Sequence, residues 1–227
     1  MYVQTRKRSP LSGSSALLAA LVVGIAAPAA AAEGALKVRT SAIAAPCVEA
    51  VGQAWEARGG RSVSVETGGL RDRGAWDVLV GSGVELTRAL EGGEADVATD
   101  VDIATIPWVL HVPSGGDVSA LSDLTRSNVE IVMPAGDASY EARRALAEQG
   151  VRRVLETTDA ARLRSAPVAL VPLSLAGPGK LVSVDIPPIR VSAALGMRAR
   201  HAVDAAAFVS YLGSEDGQQV FATCSAQ

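Results

Sequence analysis

A strand, a small-residue loop and a helix follow one another within residues 36–60, and that order commits the chain to an α/β architecture. Leu36-Lys37-Val38-Arg39-Thr40 alternates apolar and polar residues with the period of a strand. Ser41-Ala42-Ile43-Ala44-Ala45 is a loop of small residues, and Pro46 suits the first helical position. Cys47, Val48, Val51, Ala54 and Trp55 then recur at helical spacing, and Gly59-Gly60 ends the run. Such a unit points free backbone N–H groups and the positive end of a helix beyond the strand tip. It is an anion-binding geometry, to which Thr40 and Ser41 would add hydroxyls. The same residues also suit an ordinary connection in which Thr40 or Ser41 only caps the helix.

The pattern repeats along the chain. Residues 61–67 predict a second strand that ends in Thr67-Gly68-Gly69, a loop able to approach a ligand closely. Residues 76–80 are near-continuously apolar, as a buried parallel strand requires. Ser82 and Glu85 form a capping box before a short helix that stops at Gly92-Gly93, and residues 96–104 are expected to be extended. An apolar strand over 106–113 carries Pro near each end. A second α/β series follows, with strands over 129–133, 151–156, 168–171 and 181–186. Its helices are predicted over 120–125, 140–149 and 159–164, with loops at 134–139 and 172–179. Pro187-Pro188 is a stiff joint, residues 189–195 are extended, and two helices over 202–212 and 215–222 close the chain. Two series of similar size predict two lobes, with ligands at the strand tips that face the cleft between them.

The N-terminus reads separately. Arg6-Lys7-Arg8 precedes an apolar run from Ala16 to Ala32 that ends in small residues, the pattern of a secretory signal peptide over residues 1–32. An uncleaved membrane anchor is the rival reading, because the run reaches the short limit for a spanning helix. Cleavage would place the protein in the periplasm or outside the cell. Losing those three cations takes the net charge from −3 to −6, which does not suit nucleic acid or anionic lipid. Cys47 and Cys224 lie near the two ends of an exported chain, where a disulfide is permitted; two free thiols are the alternative. With only His111 and His201 and no Cys/His cluster, neither a metal site nor another cofactor is predicted.

These features together resemble a known family. The strand-loop-helix at 36–58, Thr67-Gly68-Gly69, the crossing strand Trp108–Pro113, Pro134-Ala135-Gly136 before a helix, and the closing run 205–221 (AAAFVSYLGSEDGQQVF) are similar to the type II periplasmic solute-binding proteins of ABC importers. The molybdate-binding branch is the nearest. The resemblance implies an α/β fold of two lobes, each a mostly parallel sheet flanked by helices, joined by two crossovers. Lobe 1 would comprise residues 33–106 and 192–227, and lobe 2 residues 107–191. It further implies a monomer that captures a small oxyanion, of the molybdate or tungstate kind, and delivers it to a membrane permease. Neutral donors would hold the ligand: Thr40, Ser41, Thr67, Gly68 and Gly69 in lobe 1, and Ala138, Ser139, Leu173 and Ser174 in lobe 2. Three features depart from the pattern: a short segment at 70–74, Leu173-Ser174 where a tyrosine is usual, and Asp137 beside the second-lobe loop. Asp137 is expected to cap a helix.

Catalysis is not predicted. His111 lies inside an apolar strand and His201 at a helix start, and Asp100 and Asp102 share a strand face near its end, so no nucleophile, base and orienting group converge. A lapsed relative that kept the fold and serves as a secreted interaction module is the alternative; a cleft filled by Tyr140 or Arg71 would be its mark.

Overall fold

The computed structural model describes residues 34–113, 116–126 and 129–226. The expected signal peptide lies outside the described residues. No described helix is long and apolar enough to cross a membrane.

Among the described residues ten strands form two separate five-stranded sheets. The first contains β1 (Leu36–Thr40), β2 (Val63–Thr67), β3 (Val78–Ser82), β4 (Val101–Ile106) and β10 (Ile189–Leu195), in the order β2-β1-β3-β10-β4. The second contains β5 (Trp108–Val112), β6 (Ile131–Pro134), β7 (Val154–Thr157), β8 (Ala169–Pro172) and β9 (Lys180–Ser183), in the order β7-β6-β8-β5-β9. In each sheet four strands share one direction. The fourth in the row, β10 or β5, runs against its two neighbours. The two sheets therefore have the same plan. The chain crosses between them twice, at Pro107 from β4 to β5 and at Pro187-Pro188 on the way from β9 to β10. Proline suits both points, since it fixes φ and needs no N–H partner.

The helices are α1 (Ala45–Ala57), α2 (Gly83–Glu91), α3 (Leu121–Arg126), α4 (Tyr140–Glu148), α5 (Ala160–Ser165), α6 (Ala202–Leu212) and α7 (Glu215–Ser225). Three of them open on side-chain caps. The predicted capping box opens α2: Ser82 Oγ accepts from the Glu85 N–H, and Glu85 accepts from the Ser82 N–H at 3.0 Å. Asp159 caps α5 by accepting from the Ala161 N–H, and Ser214 caps α7 by accepting from the Gly217 N–H. Helices α6 and α7 return to the first sheet, where α7 packs on α1. A disulfide joins Cys47 of α1 to Cys224 of α7 across 177 residues of chain. Trp55 of α1 meets Phe208 and Tyr211 of α6 with ring centroids 5.7 and 5.5 Å apart. Val78 to Ser82 are all buried, as expected of a strand in mid-sheet.

Several local expectations change. Residues 97–99 form a single 3-10 turn rather than continuous strand, because Asp96 accepts from the Ala98 N–H and turns the backbone. The third strand starts at Val78, two residues later than its apolar pattern. Trp76 is only half-buried and carries the Arg39 guanidinium 4.9 Å from its ring centroid. Asp77 is 1% exposed, and its carboxylate accepts from the N–H groups of Lys37 (2.9 Å), Arg200 (2.7 Å) and His201 (3.0 Å). The His201 ring nitrogen Nδ1 lies 3.3 Å away. His201 thus ties the start of α6 to the sheet, and His111 is buried in β5 with Nε2 3.1 Å from the Pro178 carbonyl oxygen.

Candidate functional site

Parallel strands put the loops that follow them on one edge of a sheet. In the first sheet Thr40 pairs in register with Thr67, so the loops at 40–45 and 67–69 lie side by side. Thr40 is fully buried, Ser41 is 6% exposed, and the Ala44 and Ala45 N–H groups both donate to the Ser41 carbonyl at 3.1 Å. The Ala42 N–H has no acceptor among the described residues. Helix α1 begins without a side-chain cap, so neither Thr40 nor Ser41 plays that part.

The second sheet repeats the arrangement after β6, the counterpart of β1. Gly136 turns the chain with φ +124°, a conformation that favours glycine. A single 3-10 turn, Asp137–Ser139, leads into α4. Its geometry leaves the Ala138 N–H without an acceptor among the described residues. Ser139 is fully buried. Asp137 does not cap the helix as expected. It forms an ion pair with Arg88 of α2, which belongs to the first sheet. The pair joins the two halves and offsets the one carboxylate beside the second loop.

Two of the predicted site residues stand out by what they lack. Among the described residues the buried hydroxyls of Ser41 and Ser139 have no hydrogen-bond partner, and the only other such side-chain group there is Tyr211 Oη, in the helical layer against Trp55. An unsatisfied buried hydroxyl costs about 1–3 kcal/mol. The two serines occupy equivalent loops of two sheets with one plan, each after the second strand in the row.

The remaining predicted residues have other engagements. Thr67 and Gly69 are exposed, and the Gly68 N–H donates to the Thr40 carbonyl at 2.9 Å. Gly68 lies against Arg39, whose guanidinium pairs with Asp72 and donates to the Gly69 carbonyl at 3.3 Å. A side chain at 68 would require the flexible end of that arginine to move aside. Ser174 Oγ donates to the Ile43 carbonyl at 2.8 Å, a direct bond between the loop after β8 and the loop after β1. Leu173 and Ala138 pack against the core that also holds Ile43 and Ala44. Tyr140 and Arg71 are exposed, so neither fills the interior. Arg88 had no signal in the sequence, being one of many surface arginines, and the Ala42 N–H cannot be seen in side-chain patterns at all.

No group of His, Cys, Asp and Glu among the described residues could hold a metal ion. Each of the two loops offers a neutral hydroxyl and an amide N–H group with no partner among the described residues.

Comparison with known proteins agrees with this fold. No curated protein sequence matches the chain significantly. Among solved structures, the periplasmic molybdate-binding protein of Azotobacter vinelandii superposes with a TM-score of 0.74 at 16% identity, over 83% of this chain and 97% of that one. The sulfate-binding protein SubI from Mycobacterium tuberculosis H37Rv gives 0.67 at 17% identity, over 84% and 85%. The substrate-binding domain of a putative molybdenum ABC transporter from Clostridium difficile gives 0.61 at 17%, over 82% and 95%. At such identities the likeness is one of fold alone, that of the two-lobed periplasmic binding proteins. The profile of the family described as bacterial extracellular solute-binding protein matches residues 36–223. The chain belongs to the bacterial extracellular solute-binding proteins, which bind small solutes and deliver them to ABC transporters.

Proposed function

We propose that this protein binds a tetrahedral oxyanion of the molybdate or tungstate kind between its two sheets and presents it to an ABC permease. The observation that carries this reading is the pair of buried, unpartnered hydroxyls of Ser41 and Ser139 on equivalent loops. The Ala42 and Ala138 N–H groups add two neutral donors beside them. The Arg88–Asp137 ion pair supports it, since a paired Asp137 repels an anion far less than a free one. The structural neighbours that bind molybdate and sulfate lend the class of ligand. The lobes proposed for this action are the halves built on the two sheets, turning about the crossings at Pro107 and Pro187-Pro188.

Titration calorimetry and thermal melts with molybdate, tungstate, sulfate and phosphate test the proposal. At a hundred times Kd, binding stabilises the fold by about 2.7 kcal/mol, a rise in Tm of about 5–11 °C for a chain of this size. Ser41→Ala and Ser139→Ala are expected to weaken the best oxyanion by about tenfold each, while leaving the unliganded protein as stable or slightly more so. Absence of a shift with every oxyanion overturns the reading.

One observation favours a second reading, a member of the fold that no longer takes an oxyanion and acts as a secreted interaction module. Ser174 Oγ and the Gly68 N–H, two of the expected donors, are engaged within the protein. Flat melts across the oxyanion panel, with partner capture from the extracytoplasmic fraction, decide for it.

A further inference from the structure

Next to the loop after β1, where Ser174 reaches the Ile43 carbonyl, lies a cavity of about 300 Å³ that the oxyanion reading does not use. Pro46 at the start of α1 forms one wall, and Leu163, Arg164, Leu175 and Pro178 of the other half form most of the rest. Its chemistry differs from that of the serine loops. The lining is largely aliphatic, and Arg164 is its only charged side chain. Arg164 makes no ion pair or hydrogen bond among the described residues, whereas Arg39, Arg58, Arg61, Arg88, Arg143 and Arg144 all have acidic partners. The arginine stem and the buried His111 ring both lie close to Gly177, where a side chain would meet them. Ser174, on the cavity wall, spends its hydroxyl on the Ile43 carbonyl, so no hydroxyl there is left for a compact oxyanion.

We infer that this cavity is a binding site for a small organic monocarboxylate with a branched aliphatic body. The volume matches the small end of ligand pockets. One guanidinium matches one carboxylate in charge and in its forked geometry, and the aliphatic walls take the body out of water. A tetrahedral oxyanion would leave those walls bare. Because Pro46 and the loop after β8 belong to different halves, an occupant would touch both and favour the arrangement in which Ser174 reaches Ile43.

Calorimetry with 4-methylpentanoate, its neutral amide and acetate tests the inference. Saturable binding of 4-methylpentanoate is expected, at least tenfold tighter than that of the amide, which lacks the charge, or of acetate, which lacks the body. Arg164→Gln is expected to weaken it by about tenfold to a hundredfold and Arg164→Lys by less. Arg164 is exposed, so neither variant threatens the fold. Ala160→Trp, placed on the exposed rim, should block the cavity. Molybdate serves as the control that separates the two sites: Arg164→Gln leaves any oxyanion response intact, and Ser41→Ala leaves the carboxylate response intact. Equal affinity for acid and amide, an unchanged Arg164→Gln, or no binding at millimolar concentration would each overturn the inference.

Discussion

Single residues decide this structure where a polar group is buried, and two opposite cases show it. Ser41 and Ser139 are buried with nothing to bond, whereas Asp77 is buried and fully engaged. Burial alone would raise the Asp77 pKa. The N–H groups of Lys37 and His201, the His201 ring and the Arg200 N–H outweigh it, and the carboxyl is held below its ordinary value. A carboxyl depressed in the folded state stabilises the fold above its unfolded pKa of about 3.9, and the contribution is lost as pH falls through the folded value. Asp77→Asn is therefore expected to cost at least about 2 kcal/mol in urea unfolding at pH 7, with the difference shrinking below about pH 4. A constant difference down to pH 3 would show that packing, not charge, is at stake. In the sequence Asp77 was hidden inside an apolar run, because nothing local tells that Lys37, Arg200 and His201 will meet it.

At the scale of elements, α1 is the piece with most attached to it. Its N-terminus borders the serine loop, its apolar stripe meets β2 and α6, and Cys47 ties it to α7. Its existence was legible from Pro46, the apolar spacing and Gly59-Gly60, since a helix is specified by a local period. The pairing of Cys47 with Cys224 was left open by sequence and follows from α7 packing beside α1, with the two Cα atoms 5.4 Å apart. A loop of this length loses much entropy in the unfolded chain when closed, so replacing both cysteines by serine should destabilise the protein by about 2–5 kcal/mol. The double variant should melt at the same temperature with and without reductant, and the natural protein at a lower one once reduced. Identical melts of the natural protein in both conditions would contradict this.

At the scale of the molecule, two sheets of one plan are held by two crossings and by contacts that no single sheet contains. Arg88–Asp137 and Ser174–Ile43 are such contacts. With side chains 45% and 39% exposed, the ion pair adds at most about 1 kcal/mol to overall stability. Its larger effect is on how the halves sit together. Arg88→Ala should leave the melting temperature within about 3 °C while raising the radius of gyration in small-angle scattering, an opening that salt should mimic in the natural protein. An unchanged radius would show that the crossings alone fix the arrangement. Sequence by itself determined most of the succession of strands and helices and the division into two α/β series, because these rest on periods and caps read within about a dozen residues; the family came from a resemblance that runs over nearly the whole chain after its N-terminus. Only the tertiary structure decided which donors remain free. Ser174 finds its acceptor 131 residues away and Arg88 its partner in the opposite half, whereas Ser41 and Ser139 find none. Whether a hydroxyl is spent or available depends on neighbours brought together by folding, and those neighbours are not written beside it in the chain.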